Sequence, residues 1–190
     1  LDQVGVDFNV VLDALKDENS IMAFIVPSGF LNNANDKQKH LIASKGILVD
    51  AYRLPVGAFP TTEVGTDIIV MKNRELCIDE TYGERWENLD KEQREDVVYT
   101  EWQRISNGRY FDEHPEKILG EVKTKTNRFG KPEEYVKVHE GLTVQDELDK
   151  ISSMLPKVEA VRVENKNVQT NNIVSEQKPE VIEATISDKN

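Results

Sequence analysis

The feature that most constrains the fold is a run of six apolar residues, Ile21-Met22-Ala23-Phe24-Ile25-Val26, stopped at once by Pro27-Ser28-Gly29. A strand apolar on both faces belongs in the middle of a parallel sheet that helices cover. The flanking segments fit such a sheet. Val4, Phe8, Val11, Leu12 and Leu15 recur at spacings of three and four, which predicts a helix over residues 1–16, ended by Asp17-Glu18-Asn19-Ser20. Residues 32–45 read as a second helix, with Leu41 and Ile42 facing inward and Gly46 as its C-terminal stop. Residues 47–54 form the next strand, and after a loop over 55–65 residues 66–71 form a third.

Helix, strand, helix, strand, loop, strand is half of an open α/β sheet. The first two strands, joined through a helix, should be parallel with a right-handed crossover. The last two are joined by about eleven residues without a helix and should be antiparallel neighbours. The expected class is therefore α/β, an otherwise parallel sheet with one antiparallel strand near its end.

Two stretches carry a family resemblance. Ala23-Phe24-Ile25-Val26-Pro27-Ser28-Gly29-Phe30-Leu31, followed about thirty residues on by Phe59-Pro60-Thr61-Thr62-Glu63-Val64-Gly65-Thr66-Asp67-Ile68-Ile69-Val70, resembles the C-terminal half of the catalytic domain of DNA adenine methyltransferases. The similarity is to the Taq-type and Eco57-type methylases and to the methylase-helicase polypeptides of phages and conjugative elements, and it covers residues 4–73. It implies the C-terminal half of a Rossmann-like methyltransferase sheet with an antiparallel last strand. It also implies that Phe59 matches the aromatic residue stacking on the flipped adenine, with Pro60 stiffening its loop, and that Pro27, Ser28, Gly29 and Phe30 border the pocket. Extruding a base costs a few kcal/mol, and an aromatic face returns roughly 1–3 kcal/mol of stacking. The residues alone leave a second reading for Phe59, a core plug at the top of the sheet.

What is missing bounds the activity. The family's Asn/Asp-Pro-Pro-Tyr/Phe tetrapeptide does not occur in the sequence, nor does a Gly-rich cofactor loop with its following acidic residue. The resemblance places these upstream of Leu1. It implies S-adenosylmethionine as cofactor and double-stranded DNA as substrate of the complete enzyme, with the N-terminal half supplied in cis or in trans. For this chain alone, no bound cofactor and no catalytic residue are expected.

From residue 74 the character changes. Residues 84–104 are highly charged, with Trp86, Leu89, Val97, Val98, Trp102 and Ile105 as a helical stripe packing on the α/β half. Arg109-Tyr110-Phe111-Asp112-Glu113-His114-Pro115-Glu116-Lys117-Ile118-Leu119-Gly120 resembles the segment following the methylase domain in the methylase-helicase polypeptides. Its aromatic pair and Lys123, Lys125, Arg128 and Lys131 make one locally basic patch, a candidate for phosphate contact or a solvated loop. Asp112, Glu113, His114 and Glu116 read as an exposed acidic cluster rather than a metal site. Glu116 and Glu121-Val122-Lys123 stand too close for the hairpin of a metal-dependent nuclease. Residues 135–139 alternate like a short strand, and Thr143 is a candidate N-cap for a helix reaching Leu155.

The domain reading is a methyltransferase-like half at 1–73, a charged and mostly helical α+β extension at 74–156, and a flexible tail or linker at 157–190, poor in periodic apolar residues. Net charge -11 speaks against nonspecific nucleic-acid binding, so any DNA contact must rest on a local site. A single cysteine excludes an internal disulfide, and no apolar run is long enough for a membrane span; a cytoplasmic protein of a restriction-modification system or mobile element is expected. The competing reading is a noncatalytic DNA- or partner-binding accessory protein derived from a methylase.

Overall fold

The computed structural model of the chain describes residues 8–34, 37–59, 64–127 and 129–155. The three apolar runs are strands: β1 (Met22–Pro27), β2 (Gly46–Arg53) and β3 (Thr66–Asn73). β3 lies in the middle, in the order β1-β3-β2, antiparallel to both neighbours. β1 and β2 thus run in the same direction, as expected, but every strand pair among the described residues is antiparallel, which corrects the expectation of a mainly parallel sheet. The β2–β3 loop brings the chain back between the two strands. There the apolar Ile68-Ile69-Val70-Met71 gains a hydrogen-bonding partner on each edge. The class is α/β, with small antiparallel sheets and several helices.

The register sorts the side chains into two faces. Met22, Phe24, Val26, Leu48, Ala51, Ile69 and Met71 pack against α1 (Phe8–Ala14), α2 (Gly29–Asn32), α3 (Lys37–Lys45), α4 (Lys91–Arg104) and α5 (Arg109–Glu113). Those helices contribute Leu12, Phe30, Leu31, Ile42, Val98 and Phe111, among others, to one main core. Leu41 is exposed while Ile42 is buried, so only one of the two points inward. Gly46 opens β2 rather than closing α3; a Cβ there would lie 2.7 Å from Met71 Cε. On the opposite face Tyr52 joins Leu54, Leu119 and Ile68 beneath α6 (Val144–Met154).

β2 carries a bulge. The register shifts between Leu48 and Asp50, leaving Val49 unopposed, so that Asp50 and Tyr52 share the face of Val70 and Ile68 while Ala51 and Arg53 turn to the main core. The outer edge of β2 is sealed. Glu101 accepts from Leu48 N at 2.8 Å, Arg104 donates to Leu48 O at 2.6 Å, and Leu119 N donates to Arg53 O at 2.9 Å. The outer edge of β1 pairs with no strand among the described residues, and Ile21 and Ile25 beside it are exposed.

Residues 84–104 are not one helix. A 3-10 turn (Trp86–Asn88) comes first, and α4 starts afresh at a capping box in which Asp90 accepts from Gln93 N and Gln93 accepts from Asp90 N. Trp86 and Trp102 pack partly buried on the main core. After α5 the chain forms a two-stranded ribbon, β4 (Glu121–Thr126) and β5 (Pro132–Lys137), and then α6, which Thr143 caps. The described residues belong to one compact unit. Val4 of the first helix and the tail at 157–190 lie outside the described residues. Among the described residues no helix is long and apolar enough to cross a membrane.

Candidate functional site at the end of the sheet

The two loops that carry the sequence resemblance meet at one end of the sheet. Pro27 at the end of β1 pairs with Thr66 at the start of β3, Ser28 N donates to Gly65 O at 2.8 Å, and Ser28 Oγ donates to Asp67 Oδ1 at 3.0 Å. Gly65 is confined here, since a Cβ would lie 3.0 Å from Ser28 Oγ. Asp67 is fully buried, and Arg53 holds it with a two-pronged pair from Nε at 2.9 Å and Nη2 at 3.0 Å. The same Nη2 donates to Asn32 Oδ1 at 2.7 Å, and the guanidinium stands 4.1 Å from the centre of the Phe111 ring. Residues from β1, α2, β2, β3 and α5 are thereby fixed to one another.

The expected site residues divide. Pro27 is exposed, Ser28 and Gly29 are half-buried, and Phe30 is 5% exposed in the main core. Phe30 is thus a core side chain that leaves little surface at this end of the sheet. Phe59 is half-buried and packs, with Ala58, on the cluster of Tyr52, Leu54 and Leu119 that α6 covers. Pro60 lies outside the described residues. Lys123, Lys125 and Lys131 are exposed on the β4–β5 ribbon, whereas Arg128 lies outside the described residues. The lysines are interleaved with acid: Lys123 pairs with Glu121, and Lys125, whose ammonium stands 5.5 Å from the Tyr135 ring centre, lies across from Glu133. Tyr110 and Phe111 are buried in the main core and do not extend the basic patch, a second correction.

One polar cluster went unforeseen. Asp50, 5% exposed, accepts from Tyr52 Oη at 2.6 Å, Tyr110 Oη at 2.7 Å and Lys117 Nζ at 2.8 Å. Burial pushes its carboxyl up, but the bonds from Lys117, Tyr52 and Tyr110 outweigh burial and hold it below the usual aspartate range. Burial and the bond to Asp50 push both tyrosine hydroxyls well above theirs. A carboxylate held ionised by three donors is a poor base; it fastens residues 110–117 to β2. The sequence did carry a signal, an aspartate inside the apolar stretch Ile47-Leu48-Val49-Asp50-Ala51-Tyr52.

A separate cleft of about 570 Å³ lies beside the sealed edge of β2 and is lined by Lys72, Arg74, Cys77, Asp79, Glu101 and Arg104, among others. Arg74 is buried there, donating to Ala43 O and Gly46 O, with Asp79 at 3.7 Å and Glu101 at 3.9 Å. Burial raises the Cys77 thiol, which disfavours the reactive thiolate. His139 contacts the buried Glu147, which Lys150 also holds. Among the described residues no three His, Cys, Asp or Glu side chains gather in a metal-binding group. The chain matches no protein-family model, no curated protein and no solved structure.

Proposed function

We propose that the chain is the C-terminal part of an S-adenosylmethionine-dependent DNA adenine methyltransferase, contributing one wall of the flipped-base pocket to an active site completed by an N-terminal half. The observation that carries this reading is the sheet: its last strand, β3, runs antiparallel between two strands that are parallel to each other, and the outer edge of β1 has no strand partner among the described residues. A methyltransferase sheet with an antiparallel strand near its end would present this pattern, with the missing half joining at β1. The meeting of Ser28 with Gly65 and Asp67 supports it further, since it brings both resembling loops to one place.

The polar side chains at that place are engaged with one another, Ser28 and Arg53 on Asp67 and Arg53 on Asn32, and Phe30 fills the core. The residues present therefore do not fit S-adenosylmethionine by themselves, and the cofactor falls to the other half. Phe59 serves as the aromatic platform at the extruded adenine, anchored from below by Tyr52 and Leu54.

The test joins or mixes the chain with the polypeptide encoded upstream and measures methyl transfer to duplex DNA. Transfer is expected only in the combined form. Phe59→Ala is expected to reduce it about tenfold to a hundredfold, the loss of one base stack worth ~1–3 kcal/mol. Full transfer by the Phe59→Ala complex would remove Phe59 from the pocket; no transfer in any combination would remove the enzyme reading. A second reading, the noncatalytic accessory protein, is favoured by one observation: the described residues carry a main core of their own, with a smaller cluster on the opposite face of the sheet. A chain that binds DNA or a partner subunit without supporting transfer would decide for it.

A further inference from the structure

The β4–β5 ribbon is built as a rigid arm. Six residue pairs give it a length of about 20 Å at ~3.4 Å per residue, and most of its side chains are exposed. Its root is fixed: Val136 and Leu119 are buried, Val56 N donates to Val136 O at 2.9 Å, and Gly120 (φ +144°) leaves no room for a Cβ against the Lys137 carbonyl. Hydrogen bonds also tie together the described residues at its tip. Asn127 Oδ1 accepts from Phe129 N and from Lys131 N, each at 3.0 Å, while Asn127 N donates to Lys131 O at 2.8 Å. Beside them Phe129 is 71% exposed, the most exposed of the large apolar side chains among the described residues.

We propose that this ribbon enters a groove of duplex DNA, with Phe129 as a wedge against a base step and Lys123, Lys125 and Lys131 on the flanking phosphates. The proposal rests on the DNA-directed reading above but concerns a different surface. Phenylalanine is one of the side chains that proteins insert between base steps from the minor groove, kinking the duplex. Charge selects the partner. The span 121–137 holds five basic and three acidic residues in a chain of net charge -11, so it is locally cationic against an acidic whole. Register places Lys123, Lys125 and Tyr135 on one face, with Glu121 and Glu133 among them. The Lys123–Glu121 pair is exposed and of little worth in water, so Lys123 can exchange Glu121 for phosphate.

The experiment titrates the 190-residue chain onto fluorescein-labelled duplex and single-stranded oligonucleotides and follows anisotropy at several salt concentrations. Phe129→Ala is expected to weaken duplex binding about tenfold without altering the salt dependence, and Phe129→Trp to retain it. Lys123→Ala with Lys125→Ala is expected to lower the salt slope by about two. Glu121→Ala is expected to tighten binding. Because these side chains are exposed, unchanged thermal unfolding of each variant would confirm that its fold is intact. No duplex binding by the parent chain, or equal binding by Phe129→Ala, overturns the proposal, as does a Phe129 dependence confined to single strands or to a protein partner. Methyl transfer by the combined enzyme that is indifferent to Phe129 would overturn the wedge and leave the methyltransferase reading standing. Phe129-dependent duplex binding without any methyl transfer would do the reverse.

Discussion

At the scale of single residues the strongest constraint is Asp50. Removing its charge leaves Lys117 half-sequestered, with a 16% exposed side chain and no counter-ion, and loosens Tyr52 and Tyr110 together. Breaking a buried pair from one side costs about 3–5 kcal/mol, and the solvent still reaching Lys117 puts Asp50→Asn at the lower end, about 3 kcal/mol. Urea unfolding checks this; a loss below about 1 kcal/mol would mean that the cluster relaxes freely. The sign with pH is fixed by the lowered carboxyl. Its contribution is complete above the ordinary aspartate value of 3.8 and is lost as pH falls through the lower folded value. The stability gap between parent and Asp50→Asn should therefore close only in strong acid.

At the scale of elements, the two edges of the sheet are treated oppositely. Along β2, Glu101 and Arg104, one turn apart on α4, meet both backbone groups of Leu48 as a neighbouring strand would. This seal carries its own pH dependence. Burial raises the Glu101 carboxyl above its ordinary 4.5, and the bond from Leu48 N with the charges of Arg104 and Arg74 offsets this only in part. The folded protein then binds a proton more readily than the unfolded chain, so this group's contribution to stability falls as pH rises from about 4.5 through the raised value. Glu101→Gln keeps an acceptor for Leu48 N and should remove that slope. Unfolding midpoints between mildly acidic and neutral pH would show the variant gaining on the parent as pH rises; a constant difference would contradict the assignment.

At the scale of the whole molecule, the three strands, α3 and α6 were legible because each has a local mark: an apolar run ended by proline or glycine, a period of three to four, a threonine cap. The antiparallel pairing of β2 with β3 was legible from the length of the loop between them. The placing of β3 between β1 and β2 was not, because it depends on pairings across some forty-five residues that leave no local trace. The bulge at Val49 has no mark either. β4 escaped because Glu-Val-Lys-Thr-Lys-Thr lies in an exposed ribbon and needs no apolar alternation. The break before α4 could have been read from Asp90 and Gln93, the capping-box spacing. At the site, the burial of Phe30, Tyr110 and Phe111 was hidden because aromatic residues near a loop look alike whether they face solvent or core. The uneven sheet also bears on how the isolated chain behaves in solution. Two copies meeting along β1 would be related by a twofold axis and would cover Ile25 on each side, but net charge -11 on each keeps them apart at low ionic strength. Sedimentation should find single chains in dilute buffer and a growing fraction of pairs as salt screens the repulsion, with Ile25→Lys abolishing the trend. Salt would then act on this molecule in two opposite ways, weakening its hold on a polyanion while strengthening its hold on itself.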